Sequence, residues 1–324
     1  MRSCSDQLKE PDACSTTFTE VQIDDRPARS VMLHVASSVY MLLGRILSAF
    51  RLRVRVFRIL RKPTEFVLGI IMPNPVEVNG VMMYHDRATA TMMVHMVGGG
   101  YERGTTSYLS KKLQVGMTFV DVGANIGYFT LYAARKAGPS GRVFAFEPDP
   151  RCQQLLKMGI RRNAFQSRVT LSCKAVGRNE SMEELFIHNQ VGQSTLIDTL
   201  GLPFVKVDVT SLDEYFGNMG WPSVDFVKVD VEGWEVEVLN GMNELVRKNP
   251  NLTLIVEFAP QGAHKSNAVD RFFEQLDRLG FNVLFPLVGD QKIDTGFLTT
   301  TPMNRDEIIE LVGSSYCNLL CRRT

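Results

Sequence analysis

Short β-branched runs alternating with longer helical patterns constrain this chain more than any other feature. The runs cover 118–122, 142–146, 169–176, 224–230 and 252–258, and residues 126–137, 150–163, 233–248 and 267–279 read as helices between and after them. Asp149 is placed to cap the second of these helices, with Pro150 at its first position. Such alternation predicts right-handed βαβ units and a parallel sheet buried on both faces, a Rossmann-like α/β architecture. Residues 281–287 and 315–321 read as two further strands joined by an irregular connection, 288–314. One departure interrupts the pattern. Residues 181–188 and 203–209 are both strand-like, with Val191-Gly192-Gln193-Ser194-Thr195 between them, which predicts an inserted hairpin rather than a plain crossover.

The 324 residues allow one large domain or about two of roughly 150 residues. Thirty-six Lys and Arg against thirty-five Asp and Glu leave a formal charge of +1, which argues against a general nucleic-acid binder. None of the six cysteines forms a CxxC pair, so free thiols in a reducing, cytoplasmic setting are expected. The longest uncharged run, 30–44, is shorter than the roughly 20 apolar residues a membrane span needs, and no secretory signal is read. Residues 1–30 are polar and expected to lack order. Residues 31–62 carry seven Lys or Arg and no acid, with Met32, Val35, Val39, Leu42, Ile46 and Phe50 at helical spacing. This segment either lies on an anionic membrane surface or packs on the domain that follows, and its 51–57 part also alternates like a strand. The domain is expected over 63–324, with its core from 115 onward.

Chemistry concentrates where the first run meets the first helix, in Asp121-Val122-Gly123-Ala124-Asn125-Ile126-Gly127-Tyr128. Ligands of open α/β sheets sit outside the carboxyl ends of the strands, and glycines there admit close backbone approach. The spacing is acidic-x-G-x-x-x-G, not the GxGxxG that seats a pyrophosphate on a helix N-terminus. A carboxylate at this point suits a cofactor with cationic groups, such as S-adenosylmethionine, and is a poor neighbour for a nicotinamide dinucleotide. Glu147, at the end of the second run, is placed to accept hydrogen bonds from ribose hydroxyls. A third cluster, Lys228-Val229-Asp230-Val231-Glu232-Gly233-Trp234-Glu235, follows the fourth run. Asp230 and Glu232 there are suited to orient a hydroxyl, act as a base or, less readily, hold Mg²⁺; no His/Cys cluster points to a transition metal.

In this order, DVGANIGYFTL, FEP, SLDEY (211–215) and KVDVEGWE resemble the FkbM family of S-adenosylmethionine-dependent methyltransferases, over roughly residues 78–258. Gly99-Gly100-Tyr101-Glu102 and Val115-Gly116-Met117 match that family's lead-in. The resemblance implies a seven-stranded, mostly parallel methyltransferase sheet with the last strand antiparallel, and O-methylation of a hydroxyl on a sugar, glycan or natural product. It also implies that Asp121, Gly123, Ala124, Asn125 and Gly127 line the methionine side of the cofactor, that Glu147 holds the ribose, and that Ala175 and Val176 touch the adenine. The general base stays open among Asp230, Glu257 and His264, with Asp230 first; His188 and Asn189 are candidates for acceptor contact. Two rivals remain, a non-catalytic, membrane-recruited adenosylmethionine-binding protein and an NAD-dependent oxidoreductase. Neither the oligomeric state nor the acceptor is readable.

Overall fold

The computed structural model describes residues 72–188, 194–197, 201–260, 268–287 and 301–324; the segments 1–30 and 31–62, together with Asn189 and His264, lie outside the described residues. A hairpin of β1 (Val76–Val78) and β2 (Val81–Met83) leads into helices α1 (Ala90–Val97) and α2 (Arg103–Lys112). Then come β3 (Thr118–Val122), α3 (Tyr128–Ala137), β4 (Arg142–Phe146), α4 (Pro150–Arg162) and β5 (Val169–Ser172). The insertion follows as β6 (Ala175–Val176), β7 (Ser181–Phe186) and β8 (Phe204–Thr210). The chain continues through α5 (Leu212–Asn218), β9 (Phe226–Val229), α6 (Glu235–Asn240), α7 (Asn243–Lys248), β10 (Thr253–Phe258), α8 (Ala268–Arg278), β11 (Val283–Leu287), α9 (Arg305–Val312) and β12 (Cys317–Arg322).

Seven strands form one sheet in the order β11-β12-β10-β9-β3-β4-β5. Only β12 runs antiparallel to its neighbours, as expected of a class I methyltransferase sheet. After β5 the chain crosses back to the other side of β3, so the order reverses between β3 and β9; at such a reversal the loops at the carboxyl ends diverge and open a crevice.

Alternation along each strand sends neighbouring side chains to opposite faces. Phe119, Val143, Ala145 and Phe226 pack under the β1–β2 hairpin and α1–α4, together with Leu109, Leu131, Leu156 and Ile160. Val120, Phe144, Phe146 and Val227 point the other way, into α5–α9, against Phe216, Leu239, Leu245, Phe272 and Ile308. The upstream hairpin and α1–α2 therefore belong to the same core as the sheet, well before residue 115. Phe119, Leu131 and Leu156 are fully buried, and truncating such a side chain to Ala costs about 2–5 kcal/mol.

Several expected boundaries change, each for a physical reason. The run 169–176 breaks at Cys173 and Lys174: β5 stays in the main sheet, whereas β6 pairs in parallel with β8 in a separate three-stranded sheet. The expected hairpin is there as β7 and β8, paired antiparallel from Ser181↔Val209 to Phe186↔Phe204. Helix α3 starts two residues late because Asn125 and Gly127 both take left-handed backbone, with φ of 52° and 94°. The helix expected over 233–248 is two, α6 and α7, with Gly241 between them; a Cβ on Gly241 would sit 2.1 Å from the Gly177 carbonyl oxygen. Within 288–314, expected as an irregular connection, helix α9 is held by an Asn304–Glu307 capping box. Among the described residues no helix is long and apolar enough to cross a membrane.

Candidate active site

A cleft open to solvent lies at the carboxyl ends of β3, β4 and β9. Its floor is made by backbone that the sequence forces into tight approach. The N–H groups of Gly123 and Ala124 both donate to the Phe146 carbonyl at 3.0 Å, and Asp230 N–H donates to Val122 O at 3.0 Å. Gly123 has φ +81°, and a Cβ there would lie 1.9 Å from the Asp230 carbonyl oxygen, so only glycine lets the two loops meet.

Asp121, Gly123, Ala124, Asn125, Glu147, Ala175 and Val176 all line this cleft. Gly127 takes no part in the lining. It begins α3 with φ +94°, and a Cβ on it would strike Leu156 Cδ1 at 2.3 Å, so its place is helix packing behind the wall. Asp230 and Glu232 line the cleft on the side away from Glu147, whereas Glu257, half-buried on β10 opposite Asn318, is outside the lining. His188 lies at the end of the described part of the insertion, its carbonyl accepting from Arg151 Nη2 at 3.2 Å.

The acids at the two ends differ in how they are held. Glu147 is buried, and its carboxyl oxygens accept from Asn125 N–H at 2.6 Å and Asp149 N–H at 2.8 Å, which fixes its rotamer. Burial, only partly offset by those two donors, pushes its pKa to about 8. Asp121 is 1% exposed and accepts from Thr130 Oγ1 at 2.5 Å. Burial raises its pKa, while Lys228, its register partner on β9, and Thr130 hold it back. Glu235, buried at the start of α6, accepts from Val231 and Gly233 N–H, yet burial lifts it to about 7.

Lys228, to which the sequence motif assigns no role, sits at the centre of the polar floor. It is 2% exposed, with Nζ 2.6 Å from Asp230 Oδ2, 3.6 Å from Glu102 Oε1 and 4.7 Å from the centre of the Phe129 ring. Burial alone would favour a neutral amine, but Asp230, Glu102 and Asp121 together raise the pKa above its ordinary value, so the lysine stays charged. Glu102 sits buried with φ 37° between α1 and α2, and Asn318 Nδ2 donates to its other oxygen at 2.8 Å. Alternation predicts that Lys228, Asp230 and Glu232 share a side; nothing local in the sequence shows that Glu102 and Asn318 reach the same place.

The insertion closes one wall. Ser194 and Leu196 line the cleft, Ser194 Oγ donates to Asp149 Oδ2 at 3.0 Å, and Thr195 Oγ1 donates to the Glu232 carbonyl at 2.8 Å. The SLDEY stretch instead supports the frame: Ser211 caps α5 through Glu214 N–H, and Asp213 accepts from Glu244 and Leu245 N–H at the start of α7. Among the described residues no group of three or more His, Cys, Asp or Glu is placed to hold a metal ion.

The donor set fits S-adenosylmethionine. Carboxylates stand at both ends, as a sulfonium, an ammonium and a ribose diol require, and the apolar Ala175, Val176, Leu185 and Leu196 offer a wall for a flat base. Residues 121–283, just over half of the chain, match the methyltransferase FkbM domain. The chain is 35% identical to "Methyltransferase sdnD" of Sordaria araneosa over 39% of its length and 60% of that protein's. It is 31% identical to "Methyltransferase 1" of Beauveria bassiana (strain ARSEF 2860), over 39% of this chain and 58% of that one. It thus spans less than two thirds of either relative. Among solved structures, methyltransferase FkbM from Methylobacillus flagellatus KT aligns with a TM-score of 0.42 at 19% identity, covering 73% of this chain and 55% of that one. The chain belongs to the FkbM family of methyltransferases, whose methyl donor is S-adenosylmethionine.

Proposed function

We propose that this chain methylates a hydroxyl oxygen of a sugar, glycan or natural-product acceptor. The observation that carries this reading is the convergence of Asp121, Glu147 and Asp230 on one cleft. When bound, S-adenosylmethionine supplies an electrophilic methyl group on a sulfonium. Glu147, pinned by two backbone donors, keeps lone pairs for the ribose hydroxyls. Asp121 and the Gly123–Asn125 backbone receive the methionine end, and Ala175 with Val176 receive the adenine.

Transfer to oxygen requires the acceptor to lie in line with the methyl group in a site drained of water, and requires its proton to leave. In this reading Asp230 takes that proton. Lys228 holds its Oδ2, which leaves Oδ1 as the atom that meets a bound hydroxyl and takes its proton. The lysine's charge also stabilises the oxyanion character that develops on the acceptor. Glu257 is the second candidate: burial pushes its carboxyl well above the ordinary range, with Asp230, Glu232 and Glu235 adding to the shift, which strengthens its ionised form as a base. His264 lies outside the described residues and keeps its place as a third candidate.

The test is to incubate the protein with isotope-labelled S-adenosylmethionine and extracts of small molecules and glycans, then to find labelled species by mass spectrometry. Label in an O-methyl ether, made by wild type and not by Asp230→Asn, supports the proposal. Label confined to nitrogen or carbon, or none while S-adenosylhomocysteine binds, contradicts it.

A further inference from the structure

A net charge near zero conceals a segregation of charge across the sheet. Helices α1–α4, which cover one face, carry nine Lys or Arg and no Asp or Glu. Helices α5–α9, on the other face, carry eleven acidic and five basic residues. The basic face is exposed: Arg103, Lys111 and Lys112 on α2, Arg135 on α3, and Arg161 and Arg162 on α4 all stand in solvent. The three acids between 103 and 174 are Asp121, Glu147 and Asp149, all buried toward the cleft, so they offer this surface little compensation. Glu77 and Asp86, from the hairpin region upstream, are the exposed acids nearest in sequence.

The helices make one continuous surface. Lys136 Nζ donates to Ser110 O at 2.9 Å, joining α3 to α2, and Asn163 Nδ2 donates to Met82 O at 2.7 Å, joining the end of α4 to β2. A field of one sign over three helices concentrates anions and attracts a polyanionic plane far more than a single ion.

We propose that this face docks on an anionic lipid bilayer. Charge complementarity is the first argument, since each cation brought within a Debye length of about 10 Å of an anionic surface adds to the attraction. Continuity is the second. The chain enters the described fold at β1–β2, the hairpin that packs on α3 and α4, and the residues preceding it include 31–62, with seven basic residues and no acid. The basic residues of 31–62 add to the same attraction toward an anionic surface. A nucleic acid fits less well, because the Tyr and Phe side chains of α1–α4, Tyr108, Tyr128, Phe129 and Tyr132, are all buried and leave no such ring on these helices for a base to stack on. The proposal rests on charge and chain continuity and is independent of the methyl-transfer reading.

The test is co-sedimentation of the full chain with phosphatidylcholine vesicles, with and without phosphatidylserine, at low and high salt. Wild type should bind only the phosphatidylserine vesicles and be released by salt. The variant Lys111→Gln, Lys112→Gln, Arg161→Gln, Arg162→Gln should bind at least roughly tenfold more weakly while keeping its unfolding midpoint and S-adenosylhomocysteine affinity. If the midpoint falls, Arg103→Gln with Arg135→Gln serves as a second variant with the same expected direction. Vesicle binding equal to wild type in a folded variant overturns the proposal, whether wild type ignores phosphatidylserine or binds only through Arg45, Arg51, Arg55 and Arg58. Binding of oligonucleotides instead of vesicles, lost in the same variant, also overturns it.

Discussion

The ammonium of Lys228 lies 2.6 Å from Asp230 Oδ2, two residues along the same strand end, and it is all but sealed from solvent. The pair joins the floor of the cleft to its candidate base. Breaking a buried pair by removing one partner leaves a charge without compensation, at about 3–5 kcal/mol. Lys228→Met should therefore lower the unfolding free energy by about that amount in denaturant titrations. Combined with Glu102→Gln, the loss should be smaller than the sum of the two single losses. Strict additivity would show that Glu102 does not balance the lysine.

Asp230→Asn keeps the shape of the side chain but takes away its capacity to accept a proton. Single-turnover rates should fall by about 10²–10⁴, with affinity for S-adenosylhomocysteine little changed. Glu257→Gln should cost less, because Glu257 stands outside the lining. A larger loss in Glu257→Gln than in Asp230→Asn would move the base to β10.

Glu147 gives a pH signature. Its folded-state pKa of about 8 stands above the ordinary carboxyl value of 4.5, so the folded chain binds this proton more tightly than the unfolded chain. The resulting stability is fully present below about pH 4.5 and is lost as pH rises toward 8. The margin of wild type over Glu147→Gln should shrink across that window in denaturant midpoints taken at several pH values. A margin that does not change with pH would contradict the assignment.

The two motif glycines should behave differently. Gly123→Ala drives a Cβ to within 1.9 Å of rigid backbone at Asp230, whereas Gly127→Ala meets the end of a flexible Leu156 side chain. Both bear left-handed strain, of order 1–3 kcal/mol. Gly123→Ala should be the more destabilising in thermal unfolding and should also abolish S-adenosylhomocysteine binding; equal effects would mean that the loop contact yields easily.

Much of this arrangement was legible because it is local. Alternating runs place the parallel strands, and Asp121 and Glu147 end strands that had to be neighbours, so their meeting at one cleft follows from the pattern. Positive φ at Asn125 and Gly127, which delays α3, depends on backbone approach that residue types only hint at. The split of 233–248 at Gly241 depends on the Gly177 carbonyl, which is distant in sequence. Glu102 reaches Lys228 from far upstream and is itself held by Asn318, 216 residues away in sequence, and no periodicity encodes that. The SLDEY residues stand out as a motif, but their capping of α5 and α7 depends on the packing of those helices and not on the motif itself.

Calorimetric titration with S-adenosylhomocysteine, in wild type and Glu147→Gln and in two buffers of different ionisation enthalpy, tests the cofactor cleft most directly. Ribose hydroxyls that hydrogen-bond the ionised Glu147 should favour its charged form, so wild type should bind one equivalent and release a proton near neutral pH. Glu147→Gln should bind at least roughly tenfold more weakly, without that proton. Equal affinity in the two proteins, with no difference in proton release, would contradict the account.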